Sequence, residues 1–365
     1  MAPLKIADIQ ATVHRVPVTV PLLKAPLVTS IVFVAVTTDR EITGYGLTRT
    51  PQRFALKEFI NREAGPFLRG KNPLETERIW NELYSQFNPR AQTGMWSSAV
   101  SAIDIALWDI KGKHYNEPVW RLLGGAHSRV PGYVTFGLKQ YSAEQLVDVA
   151  RQLVAQGETR LKMVVAVDPE NPRVDAARVR AVRQQVGDDV ELMIDANYLF
   201  SFSRALELCK MVEPLGITWF EEPVYQNDAA LLADLRRQTV IPLAAGQNEG
   251  HRFRHRELIV NRAIDIAQPN VCSVGGYTEA AKVAALAQAF NLPIANGGGW
   301  PHHNLHLQGG MANGWRVEFH FEMWGVGDVI YKDPPAPNRG WVTLPETPGL
   351  GLEPRIEALQ EYEEK

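Results

Sequence analysis

The sequence predicts an α/β protein, a (β/α)8 barrel with a smaller α+β unit in front of it, on three observations. Residues 1–125 group their strand-like segments before their helices. From Val130 onward, short apolar strands alternate with longer helical stretches. Three of those later strands end near oxygen-bearing side chains, Asp195, Glu221 and Gln247, spaced 26 residues apart. One strand, one helix and two short loops fill such an interval. Successive units of a parallel barrel then bring their strand ends side by side on one rim.

The elements follow in order. Ile6–Val16, Ser30–Thr37 and Glu41–Leu47 alternate apolar and polar residues, with a turn at Asp39–Glu41, which predicts a small antiparallel sheet. Arg53–Phe67, Asn72–Ser85 and Ser97–Lys113 carry helical spacing; in the last, Val100, Ile103, Ala106, Leu107 and Ile110 form one apolar stripe. Strands followed by grouped helices indicate an α+β unit over 1–125. The barrel strands are expected at Gly132–Phe136, Arg160–Val167, Val190–Asp195, Ile217–Glu221, Ile241–Ala245, Ala263–Ala267, Leu292–Ala295 and Arg316–Phe319, within a domain spanning 126–334. A doubly wound open sheet is the alternative, but no Gly-rich phosphate fingerprint follows any of these strands. Beyond Trp324 the chain is rich in Pro and Gly, so 335–365 is expected to wrap back and complete the first unit, ending in a short surface helix.

Composition narrows the class. A hydrophobic content of 45% with 22% charged residues is that of a water-soluble globular chain. The formal net charge of −3 argues against nucleic acid or an anionic membrane as partner. The basic run His251–Arg256 reads as a solvated face. Cys209 and Cys272 sit among apolar residues without metal-ligand or disulfide spacing, and no apolar run reaches membrane-spanning length. A cytoplasmic protein is expected.

Several residues could carry chemistry. Asp195 and Glu221 with Gln247 offer oxygen ligands suited to a hard cation such as Mg2+. Asp195 alone would fit a helix N-cap equally well, but Glu221 is a poor N-cap. In the FEEP segment, Glu221 and Glu222 point to opposite sides of the strand, and alternation leaves open which one faces the barrel axis. Lys162 falls on the inward set of its strand, where burial is expected to lower its pKa towards that of a usable base; a structural ion pair is the competing reading. In the segment NGGGWPHHN, after the seventh strand, three glycines permit close backbone approach to a ligand, and His302 and His303 could shuttle protons near neutral pH; a flexible loop with surface histidines is the competing reading. Glu318, on the eighth strand, is either a general acid or a salt-bridge partner.

Longer motifs then identify a resemblance. ITGYGL, SAVSAIDIALWDIKGK followed by PVWRLLGG, LMIDAN, WFEEP and DIAQPNVCSVGGYTEAAKVAALA run in order nearly from end to end. Together they resemble the mandelate racemase-like branch of the enolase superfamily. The resemblance implies a capping domain closed over a barrel, and a Mg2+ site that binds a substrate carboxylate and stabilises the enediolate left when the α-proton departs. It implies Asp195 and Glu221 as metal ligands, with Gln247 where most members carry Glu and Glu249 as a substitute if the loop is rearranged. Lys162 matches the first lysine of the Lys-x-Lys motif, whereas the second is Val164. Asn270 stands where the Asp of the Asp–His dyad belongs, and Asn296 or Gly297 where the His belongs.

With both usual bases replaced, the expectation is a one-base lyase of the acid-sugar dehydratase kind, eliminating water from a hydroxy acid. Lys162 is the expected base or carboxylate clamp, His302 the general acid and Glu318 an electrophilic helper. Asn197, Tyr198, Asn270, Asn296 and His303 are expected to bind substrate, with Lys24 reaching in from the 21–29 loop. A racemase, epimerase or cycloisomerase on the same scaffold is the alternative, and a catalytically silent carboxylate-binding member a third reading. The expected partner is a small carboxylate, and the chain is expected to form a homo-oligomer.

Overall fold

The structure, a computed structural model, describes residues 3–91 and 93–364. The amino-terminal sheet consists of β1 (Ile6–Val18), β2 (Leu27–Thr38) and β3 (Thr43–Thr48), antiparallel and in that order. Alternation sets the register: Val13 pairs with Val32, and Ala35 with Tyr45, so Val13, Val32, Val34 and Val36 contribute to one core. A helix, Met95–Tyr115, lies directly on β3. The approach is so close that a Cβ at Gly44 would stand 2.1 Å from the Ala106 carbonyl oxygen, and one at Gly46 2.0 Å from that of Ala102. The glycines of ITGYGL are therefore a packing requirement. This helix is buried along most of its length rather than on one stripe, because its other side meets the barrel helix Gly276–Ala289. There Trp108 Nε1 donates to Thr278 Oγ1 at 2.9 Å.

The eight barrel strands appear where the alternation placed them, several of them shorter. They are β4 (Arg129–Gly137), β5 (Arg160–Val164), β6 (Glu191–Asp195), β7 (Ile217–Glu221), β8 (Leu243–Ala245), β9 (Ile266–Ala267), β10 (Ile294–Ala295) and β11 (Gly314–His320). They are parallel in sequence order, and β11 closes on β4 through Glu318 opposite Tyr133. Tyr133, Met193, Trp219, Ala244, Ile266 and Ala295 fill the interior. A much larger apolar layer joins the outer faces of the strands to the surrounding helices. No described helix is long and apolar enough to cross a membrane.

The carboxyl-terminal segment divides its contacts. Trp341–Thr343 adds an antiparallel strand to β4 of the barrel. The last residues, with a helix at Ile356–Glu361, return to the amino-terminal sheet, where the His14 ring bonds the Leu359 carbonyl at 2.8 Å and Glu364 N donates to Val13 O. The basic run is corrected. It forms the helix His251–Val260, whose His251 and His255 are buried; His251 stacks on Trp96, and Arg252 forks onto the buried Glu279 at 2.9 and 2.7 Å. A charge run alternating with histidines thus seals the junction between the two domains.

Candidate active site

The even spacing becomes adjacency at the rim. Val164 of β5, Asp195 of β6 and Glu221 of β7 are register partners in turn, so both carboxylates end their strands at one level. Trp219 fills the barrel interior, and period-two alternation puts Glu221 on that same inward face. That resolves the FEEP ambiguity. Glu222 lies just beyond the strand and is also buried, accepting from Gln247 Nε2 at 2.7 Å and Asn227 Nδ2 at 2.9 Å.

Lys162 is the centre of charge. Its fully buried Nζ lies 2.7 Å from Glu221 Oε1, 2.8 Å from Glu318 Oε1 and 3.3 Å from Asp195 Oδ2. Burial opposes the ammonium charge, but Glu221 and Glu318, with Asp195, outweigh it and hold the lysine well above its ordinary value. The expectation of a lowered lysine pKa is corrected: the three carboxylates around Nζ favour the ammonium form. Glu318 accepts further from Thr135 Oγ1 at 2.5 Å and Gly299 N at 2.6 Å. Burial raises its pKa, yet the Lys162 ammonium brings it net below the usual range. Glu221, also receiving Trp219 Nε1 at 3.1 Å, is pushed well up by burial, beyond what Lys162 offsets. One ammonium cannot balance three acids.

Above this cluster lies a cavity of about 340 Å3. Asp195, Asn197, Gln247, Asn270 and Glu318 line it, as the sequence placed them, together with Val164. Asn270 is locked: its Oδ1 accepts from Cys272 N and Asn304 Nδ2, both at 3.0 Å, and its Nδ2 donates to Gly297 O at 2.8 Å. Asn296 lies behind the wall, buried, bonding the carbonyls of Gly297 and Gly299 and accepting from Glu318 N, so it supports the loop rather than lining the cavity. Lys24 is exposed and Tyr198 half-buried, and neither is part of the lining.

The histidine assignments are corrected. Pro301 opens a helix, Pro301–Gly310, in which every residue is buried, so PHHN is no flexible loop. His302 faces Gly327 and Phe319 under the barrel wall, and burial takes its pKa down to about 3. His303 bonds Tyr331 OH at 3.2 Å and is held well below 6.5 by burial. Neither reaches the cavity. The sequence did contain the signal, since Pro is favoured at the first position of a helix. Among the lining residues that escaped the sequence reading are Arg49 and Thr50, from the segment after β3, and His320. His320 stands two residues beyond Glu318 on β11, hence on the same face, and alternation alone could have found it.

The residues fit a divalent cation. Among the described residues no three His, Cys, Asp or Glu side chains gather as a metal site. The candidate set is instead two carboxylates and an amide. The bond from Gln247 Nε2 to Glu222 fixes the amide orientation and leaves Oε1 free to coordinate. The loop beside it has no side chains: a Cβ at Gly297 would lie 3.0 Å from Glu221 Oε1, and one at Gly298 3.2 Å from Gln247 Oε1. Lys162 with Asp195, Glu221 and Glu318 carries a formal charge of −2 when all are ionised, which a dication balances. Glu249, the substitute ligand, is committed elsewhere, to Asn227 and Arg254.

Fold and site together define a barrel enzyme scaffold with a carboxylate-rich rim under a capping domain. Residues 6–124 match the mandelate racemase / muconate lactonizing enzyme N-terminal domain, and residues 145–359 match the enolase C-terminal domain-like family. The chain belongs to the mandelate racemase-like branch of the enolase superfamily. It is 33% identical to a D-galactarolactone cycloisomerase of Agrobacterium fabrum, over 81% of this chain and 82% of that one. It is 30% identical to an arabinonate dehydratase of Saccharolobus solfataricus, over 84% and 83% of the two chains. A racemase from Streptomyces coelicolor A3(2), solved with bound magnesium, superposes with a TM-score of 0.90 at 26% identity, over 98% of this chain and all of that one.

Proposed function

We propose that this protein is a Mg2+-dependent lyase that removes the proton α to the carboxylate of an acid sugar and eliminates water from the β-position. The single observation behind this reading is the adjacency of Asp195 and Glu221 at their strand ends, beside a cavity that Asp195 and the oriented Gln247 amide line. Asp195, Glu221 and Gln247 would hold the cation, which when bound supplies Lewis-acid polarisation of the substrate carboxylate and so raises the acidity of the α C–H. Lys162 holds the rim carboxylates in place through its contacts with Asp195, Glu221 and Glu318. Glu318, a lining carboxylate outside the metal set, takes the α-proton at a carboxylate oxygen and returns it to the departing β-hydroxyl, so that the C–O bond breaks and water leaves. Asn197 and Asn270 orient hydroxyl groups, and Trp300 and Met323 exclude water from one wall. We place the protein in the cytoplasm as a homo-oligomer acting on small carboxylates.

The test is proton NMR in D2O with a panel of aldonic and aldaric acids. Exchange at the α-position with formation of the 2-keto-3-deoxy acid, lost on chelation and in Glu318→Gln, is the expected result. Bound Mg2+ with no exchange in any acid would leave the binding reading. A second reading has its own support: the rim at Asn270 and Gly297 offers no acid for a departing hydroxyl. The carboxylate leaving group of a lactone needs none, so a cycloisomerase would show exchange and isomerised product without loss of water.

A further inference from the structure

The wall formed by β11 and the capping domain is organised by one residue that takes no part in the proposed chemistry. Glu322, at the start of the helix Phe321–Ile330, accepts from Thr29 Oγ1 at 2.6 Å and pairs with Arg49 Nη2 at 3.3 Å through the same oxygen. Its backbone N–H donates to His320 Nδ1 at 3.2 Å. That bond assigns the neutral imidazole proton to Nε2, leaving the ring as a donor. Arg49 and His320 both line the cavity that Asp195 and Gln247 line. Glu322 engages one nitrogen of the Arg49 guanidinium, and the side chain is 43% exposed, so the rest of the planar fork is open to a ligand.

The other charged lining groups, Asp195 and Glu318, are carboxylates, and the lysine beneath them is saturated by three acids. An anionic group carried by the substrate away from its reacting end would be repelled by that half. Arg49, from the capping segment, offers it a guanidinium fork, which matches a carboxylate bidentately, and His320, on the same face of β11 as Glu318, offers an imidazole N–H. We propose that the substrate is a dicarboxylic acid sugar, or the lactone of one, whose distal carboxylate is held by Arg49 and His320, with Glu322 as the positioning residue. This rests on the proposed metal-assisted reaction only for which end of the substrate reacts; the distal site itself is a binding claim.

The experiment therefore measures binding as well as turnover. Calorimetric titration of the Mg2+-loaded protein compares glucarate with gluconate and galactarate with galactonate, pairs that differ in having a carboxylate or a hydroxymethyl at the far end. The diacids are expected to bind about 10- to 100-fold more tightly, the range of a charge-assisted hydrogen bond. Arg49→Ala should remove that preference while leaving direct Mg2+ titration and the circular dichroism spectrum unchanged, and Arg49→Lys should restore part of it. His320→Asn should lose a smaller share. Equal affinity for the members of each pair, an equal loss for both in Arg49→Ala, or binding of neither class overturns the inference. Preferential diacid binding without α-proton exchange supports it while sinking the proposed reaction, so the two failures are distinguishable.

Discussion

The two halves of the barrel rim are chemically opposite. From β5 to β7, and again on β11, the rim carries Lys162, Asp195, Glu221 and Glu318 in one buried ionic cluster. From β8 to β10 it carries Gln247, Gln268, Asn270, Asn296 and the glycines 297–299, a neutral amide-and-backbone surface. The ionic half can hold a cation and stabilise negative charge. The amide half can orient hydroxyl groups, but at ordinary pH it has nothing that gives or takes a proton. Proton transfer is thus confined to one side of the cavity, which favours elimination over the two-sided proton exchange of a racemase.

The comparison breaks most visibly at its charged centre. Lys162→Met should cost about 3–5 kcal/mol in urea unfolding, because it leaves three buried carboxylates without a counter-ion. Added Mg2+ should recover part of that loss, since a dication replaces the missing charge. Next in size, Glu221→Gln is expected to weaken Mn2+ binding on the order of 100-fold, read by electron paramagnetic resonance, because ligand charge sets affinity for hard cations. Undiminished affinity would move the metal away from β7.

On the neutral half the effects should be structural and smaller. Asn270→Ala leaves Cys272 N, Asn304 Nδ2 and the Gly297 carbonyl short of a partner. A stability loss of about 1–3 kcal/mol with Mn2+ affinity intact is expected. If metal binding collapses instead, the division of the rim is wrong. At neutral pH the remaining effect is silent, because it lies in the pH dependence of stability. Burial holds His302 down to about 3, against an ordinary 6.5. The unfolded chain therefore binds that proton first: stability is full above pH 6.5 and is lost as the pH falls towards 3. His302→Gln should flatten the urea midpoint between those limits only in part, because His255 and His306, both lowered to about 4, act in the same direction.

Much of the site was legible because spacing in the chain maps onto adjacency in a parallel barrel. Asp195, Glu221 and Gln247 needed nothing but strand ends and equal intervals. Glu318 followed from the eighth strand, and Lys162 from alternation. The errors share a cause: proton availability was inferred from residue type. Lys162 was expected to have a lowered pKa because it is buried, but the acids around it reverse the sign of the shift. His302 and His303 were expected in the cavity because glycines precede them, yet Trp300, in a left-handed conformation at φ 59°, and Pro301 turn the chain into a buried helix. Arg49 carries no local signal at all, since it enters the cavity from a segment that precedes the barrel by some eighty residues.

The linear code settled what depends on periodicity: strand faces, the order of βα units, and the equal intervals that align the strand-end side chains. Each is a relation between residues close in sequence, repeated by fixed geometry. Only the folded molecule decided which ionisable groups keep or lose their protons, which histidines face the cavity, and which capping residues close it. Those outcomes are set by long-range burial and by the charges that distant segments bring within a few ångströms of one another.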